Sequence, residues 1–157
     1  FAEEEGSYVL QLADPIDPPS HTVRELVDAD HLTVARLHDD LFPGTHTTGA
    51  QLVAGHDAPH RRLVVEHGGE CAGYVAVELQ PDGGGYVDDL GVDPAHRRRG
   101  LGAELVRAGV AELRRLGADH VGLSVRAGSE GARDLYVALG FREERFVVPL
   151  RLGFSIT

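Results

Sequence analysis

Val92-Asp93-Pro94-Ala95-His96-Arg97-Arg98-Arg99-Gly100-Leu101-Gly102 is the stretch on which the fold turns. It follows the β-prone run Tyr86-Val87-Asp88-Asp89-Leu90-Gly91-Val92. It precedes Gly102 to Leu116, where Leu105, Val106, Gly109, Val110, Leu113 and Leu116 recur at helical spacing. Glycines and arginines therefore lie between the end of a strand and the start of a helix. Glycine lets backbone approach a ligand closely, and the unpaired amides of a first helical turn point outward, where the helix dipole favours an anion. The pattern predicts a cradle for a pyrophosphate group. Neither GxGxxG nor GxxxxGK(S/T) occurs at this point, so the dinucleotide fingerprint and the Walker loop are both excluded.

The hexad Arg97-Arg98-Arg99-Gly100-Leu101-Gly102 fits the pattern Arg/Gln-x-x-Gly-x-Gly/Ala. A second motif lies downstream, from Gly128 to Phe141, and fits N-x-x-A-x-x-L-Y-x-x-x-G-F. Ala132, Leu135, Tyr136, Gly140 and Phe141 fall in register, and Ser129 stands at the asparagine position. Together the two motifs resemble the Gcn5-related N-acetyltransferase (GNAT) family, at that family's spacing.

The order of expected elements agrees with this resemblance over residues 21 to 152. His21 to Leu26 reads as a strand, and Asp30 as the N-cap of a helix with Val34, Leu37, His38 and Leu41 on one face. Pro43-Gly44 ends that helix, and Thr47 to Ala54 forms a second. Arg62 to Glu66, Cys71 to Leu79 and Tyr86 to Val92 read as strands separated by the glycine-rich turns at 67–70 and 81–85. After the long helix come a strand (Val121 to Val125), a helix (129 to 139) and a closing strand or hairpin (Arg142 to Leu152). The order βααβββαβαβ implies an α/β, acyl-CoA N-acyltransferase fold. Its mixed central sheet is splayed between the fourth and fifth strands and flanked by helices.

The resemblance also implies a chemistry: acetyl transfer from acetyl-CoA, as co-substrate, to a primary amine by direct attack in a ternary complex. Leu90, Gly91 and Val92 would pair with the pantetheine arm, the Val92 amide would polarise the thioester carbonyl, and Arg97, Arg98, Arg99, Gly100, Leu101 and Gly102 would hold the pyrophosphate. Ser129 would lie along the cofactor arm. An amine with a pKa near that of lysine, about 10.4, arrives protonated, so a base is expected. Asp88 is assigned that role and Tyr136 that of acid toward the departing thiolate. Adjacent strand positions face opposite sides, so only one of Asp88 and Asp89 is expected to face the acceptor. Asp89, Asp39 and Asp40, with Asp57 further off, are expected to favour a cationic small-molecule or peptide amine. Other readings stay open. Asp88 and Asp89 fit solvated strand-end acids, Tyr136 fits an amphipathic packing residue, and the chain fits a non-catalytic acyl-CoA-binding or structural module, toward which Ser129 points.

Composition narrows the partners. The 157 residues, 42% hydrophobic, suffice for one core. No apolar run approaches the roughly 20 residues of a membrane span, so no membrane partner is expected. A net charge of −10 argues against a nucleic-acid surface, since the dense positive cluster is confined to Arg97–Arg99. The single cysteine, Cys71, cannot form an internal disulfide and suits core packing in a cytoplasmic protein. Among nine histidines, His56 and His60 suggest a metal, but Pro59 breaks their helical spacing and no second cluster completes a site, so none is expected.

The amino end carries a further pattern. Residues 1–12 align without gaps on 141–152, with Phe1, Glu3, Glu4, Leu10 and Leu12 matching Phe141, Glu143, Glu144, Leu150 and Leu152. Residues 1–20 are therefore read as an extension or the last strand of a preceding GNAT-like module, followed by a proline-rich linker, with 21–157 as the acetyltransferase domain. The apolar ends would serve a homodimer or contact with that module.

Overall fold

The computed structural model describes residues 6–19, 23–44, 47–55 and 60–148. Their elements are β1 (Ser7–Leu12), β2 (Val23–Glu25), α1 (His31–Leu41), α2 (Gly49–Ala54), β3 (His60–His67), β4 (Glu70–Leu79), β5 (Gly84–Val92), α3 (Leu101–Arg115), β6 (His120–Arg126), α4 (Glu130–Ala138) and β7 (Phe141–Val147). From β2 onward this is the order read from the sequence. Boundaries move by a residue or two, and residues 149–152 of the expected closing strand lie outside the described part.

One seven-stranded sheet runs β2-β3-β4-β5-β6-β1-β7. Its pairs are antiparallel except β5 with β6. A parallel pair needs a crossover, and α3 supplies it. Period-two alternation on β3 and β4 sends Leu63, Val65, Val75 and Val77 into one apolar layer with Leu105, Val106, Val110 and Leu113 of α3. Val64, Tyr74 and Ala76 enter a second layer on the other face, with Val34 and Leu37 of α1 and Leu52 and Val53 of α2.

The parallel pairing of β5 and β6 runs from Gly84–His120 to Val87–Leu123 and stops there. Beyond it, Asp88 to Val92 of β5 and Ser124 to Arg126 of β6 continue without pairing to each other. This is the expected splay, now between the fifth and sixth strands because β1 adds one at the start.

β1 is the segment that the sequence reading set ahead of the domain, and it lies inside the sheet. It pairs with β6 from Ser7–Arg126 to Gln11–Gly122, and with β7 from Ser7–Val147 to Leu12–Phe141. Leu10 is fully buried. An antiparallel strand at this place keeps β6 from presenting a bare edge.

At the start of α1 the structure corrects one expectation. Asp30 occupies the N-cap position, but its carboxylate makes no side-chain cap bond. It accepts instead from the Val27 amide at 2.9 Å and from both terminal nitrogens of Arg24, at 2.7 and 2.9 Å. These bonds hold its pKa below the usual carboxylate value. α2 is fixed by a capping box: Thr48 Oγ1 accepts from the Gln51 amide, and the Gln51 side chain from the Thr48 amide.

Candidate active site

The end of β5 and the start of α3 form the first part of the site. The Asp93 amide donates to the Ala72 carbonyl at 2.8 Å. In an antiparallel ladder, alternation then turns the Gly91 backbone toward β4 and the polar groups of Leu90 and Val92 toward the gap between β5 and β6. Of the expected trio, Leu90 and Val92 therefore remain to pair with a ligand. Gly91 has a different role, since a Cβ there would meet Tyr74 Cε1 at 2.7 Å. The Val92 carbonyl accepts from Arg97 Nε at 3.1 Å, which leaves its amide for a ligand.

The loop then turns through left-handed backbone at Arg98 (φ 67°) and Gly100 (φ 75°). Gly100 is the N-cap of α3 and has no side chain to cap it, so the first amides of this helix have no side-chain partner there. Leu90, Val92, Arg97, Arg98, Gly100, Leu101, Gly102, Ser129 and Leu135 line a groove of about 770 Å³. Arg99 is exposed and does not line it. Free amides, two cations and a groove open at a helix N-terminus suit a pyrophosphate-bearing ligand.

A second cleft, about 470 Å³, meets this groove at Leu90, Ser129 and Ala132. Both Asp88 and Asp89 line it, with Tyr136 of α4 and a wall of Leu41, Phe42 and Pro43. Strict alternation would have parted the two carboxylates. A bulge prevents this: Val77 pairs with Val87 and Ala76 with Asp89, so Asp88 is the extra residue.

Asp88 is pushed up to about 7, first by loss of hydration, then by Glu78 and Asp89, with Arg62 opposing. Asp89 is raised by burial, against His38 and Arg62. Tyr136, 7% exposed, is pushed up to about 12 by burial and by the charge of Asp89, so its phenol stays protonated at neutral pH. Its ring packs edge-on against Phe141, with centroids 5.8 Å apart. Tyr136 is thus both a core residue and a lining residue.

Two expected acceptor residues are not brought to the cleft. Asp39 accepts from the Gly49 amide at 2.7 Å and so ties α1 to α2. Asp40 borders a separate cavity beside Asp93 and Pro94. Asp57 and His56 lie outside the described residues.

Sequence reasoning missed the residues behind the acids. Buried Arg62 donates to the Leu52 carbonyl at 3.0 Å and supplies positive charge toward Asp88, Asp89 and Glu78. His38 Nε2 lies 2.8 Å from the Thr47 carbonyl and must donate to it. Nδ1 is hydrogen-bonded to the Tyr74 hydroxyl at 2.7 Å. His60, Glu78 and Asp88 bring their side-chain donor atoms within 4.8 Å of one another. Counting from the Gly68-Gly69 turn, which pairs His67 with Glu70, would have set His60 opposite Val77; a bulge between Val65 and Glu66 shifts the register and brings His60 opposite Glu78 instead.

This splayed sheet, with its uncapped helix at the cleft, defines an acyl-CoA-type transferase architecture. A model of the acetyltransferase (GNAT) family matches residues 30–141, and the chain belongs to that family. The mycothiol acetyltransferase of Saccharopolyspora erythraea is 30% identical over 141 residues, covering 83% of this chain and 46% of that protein. The chain thus spans about half the length of that relative. Among solved structures, a GCN5-related N-acetyltransferase from Sphaerobacter thermophilus has TM-score 0.72 at 22% identity, covering 92% of this chain and 50% of that one. An aminoglycoside N-acetyltransferase in complex with CoA has TM-score 0.71 at 18% identity, covering 88% and 98%. These two likenesses support the fold. No helix among the described residues is long and apolar enough to cross a membrane.

Proposed function

We propose that the chain transfers the acetyl group of acetyl-CoA to a primary amine by direct attack in a ternary complex. The observation that carries this reading is the meeting of the two clefts. A groove suited to phosphate shares its Leu90, Ser129 and Ala132 wall with a cleft that holds a carboxyl raised to about 7 and a protonated phenol. Acetyl-CoA, when bound, supplies the activated thioester.

The chain's own residues divide the remaining work. The amides from Gly100 to Gly102, with Arg97 and Arg98, hold the pyrophosphate. Leu90 and the Val92 amide orient the arm, and Val92 polarises the reacting carbonyl. Asp88, as carboxylate, takes a proton from the ammonium form of the acceptor. Tyr136 gives its proton to the leaving thiolate. Asp89 and Asp88 together give the cleft a negative character, which suits a cationic amine. The reading places the enzyme in the cytoplasm, without a nucleic-acid, membrane or metal partner. It keeps residues 1–20 as an N-terminal extension or last strand of a preceding module plus linker. β1 of this segment is taken into the sheet between β6 and β7, so a dimer or module contact would use other surfaces.

The test is thiol release from acetyl-CoA by the purified chain across polyamines, aminoglycosides, amino acids, lysine peptides and N-terminal peptides. Release that depends on one amine class supports the reading and names the acceptor. Tight acetyl-CoA binding without release for any class would favour the binding-module alternative.

A further inference from the structure

We propose that Glu78 and His60 form the route by which the proton taken from the amine leaves Asp88. This rests on the assignment of Asp88 as base, and it adds two positioning residues to that reaction. Asp88 lines the cleft in which acceptor and acetyl donor would meet, so a filled cleft would close that side to water. The opposite side stays open to protein groups. There the Glu78 carboxyl lies beside that of Asp88, and a hydrogen bond between them forms only when one of the two is protonated. His60 Nδ1 stands 4.0 Å from Glu78 Oε1, and the three donor atoms all lie within 4.8 Å of one another.

Register explains the alignment. His60 pairs with Glu78 across β3 and β4, and both lie on the sheet face of Arg62 and Ala76, toward which the β5 bulge turns Asp88. Exposure rises outward along the path: the Glu78 side chain is 30% accessible and that of His60 42%. Three titratable groups on neighbouring strands thus mark a path from the cleft to the surface, whose 4.0 Å step from Glu78 to His60 needs a side-chain rotation or one bridging water.

The proton balance is simple. The acceptor's ammonium gives one proton to the Asp88 carboxylate and becomes the neutral amine. Asp88, now a carboxylic acid, returns that proton to the Glu78 carboxylate and is ready for another cycle. Glu78 passes it to His60 Nδ1, and the imidazolium loses a proton from Nε2 to buffer. Exchange with solvent restores the starting tautomer. Other charged groups set the level at which this works. Arg62 of β3 holds positive charge near all three carboxylates, Asp89 adds negative charge from β5, and His38 of α1 offsets Asp89. Tyr74 of β4 and Tyr136 of α4 stay neutral, both raised by burial.

Two variants test the route. His60→Gln should lower kcat about tenfold in dilute buffer, leave the KM for acetyl-CoA unchanged, and recover when imidazole is added as a soluble proton acceptor. A purely structural role would not respond to imidazole. Glu78→Gln removes a negative neighbour, so the carboxyl stretch of protonated Asp88, identified by its loss in Asp88→Asn, should persist only to lower pH. That infrared titration needs no turnover. If His60→Gln keeps the parent kcat, or its loss ignores imidazole, the route through His60 is wrong. An unmoved Asp88 titration in Glu78→Gln overturns the link between the two carboxyls. Absence of acetyl transfer in the parent would overturn the base assignment and this route together, whereas parent activity with an imidazole-insensitive variant overturns the route alone.

Discussion

The groove beside α3 and the cleft beside α4 share three lining residues but are built from different parts of the chain. The groove is mainly backbone: left-handed turns at Arg98 and Gly100, an uncapped helix end, and two arginines. Such a groove would suit any ligand that carries the right phosphate geometry, whatever the acceptor. The cleft is mainly side chain, with Asp88, Asp89 and Tyr136 at its surface and Arg62 and Glu78 behind them. Its properties depend on a bulge and on charges from four elements. The difference separates binding from turnover, and substitutions should respect that separation.

The largest effect is expected in the cleft. Asp88→Asn removes the proposed base and should lower kcat about 1,000-fold while acetyl-CoA affinity, measured by calorimetry, stays near the parent value. A parallel loss of affinity would erase the distinction between the two clefts. Next comes the groove. A Cβ at Gly102 makes ordinary contact with Leu135 at 3.4 Å, so Gly102→Asp should fold. Its carboxylate would oppose the pyrophosphate and weaken acetyl-CoA binding about 150-fold, or about 3 kcal/mol. Unchanged affinity would place the phosphates elsewhere.

Tyr136→Phe, in the cleft on the helix that carries the shared Ala132, should lower kcat about 100-fold, with both KM values little changed and the melting temperature near the parent's. A parent rate would leave Tyr136 only its packing against Phe141. The smallest effect belongs to Arg99. The exposed guanidinium lies outside the groove lining, so Arg99→Ala should change acetyl-CoA affinity less than about threefold, the range of a screened surface charge.

The groove was legible in the sequence because its determinants are contiguous. A strand, a glycine-arginine turn and an amphipathic helix lie within one stretch, and the order of elements from β2 onward followed from periodicity and turn residues. The cleft was less so. Asp88 and Tyr136 were visible through motif position, but the bulge that turns both Asp88 and Asp89 inward depends on how β5 meets β4, which no local pattern records. Asp39 and Asp40 carried the right charge and sit on the right helix, yet one is used to bind α2 and the other faces a different cavity. Glu78, His60 and Arg62 come from two other strands, and only strand register joins them to Asp88. β1 escaped for a similar reason: its short apolar alternation gave no sign that it pairs with strands more than a hundred residues away.

The central claim is that a carboxyl held near neutrality by the cleft sets the reaction's acid limb. The most direct measurement is the pH dependence of kcat/KM for the amine in the parent chain. The account predicts a limb with a midpoint at about 7, where Asp88 loses its proton and begins to act as base. A profile that rises only through the acceptor's own ionisation, about 10.4 for a lysine-like amine, would contradict it.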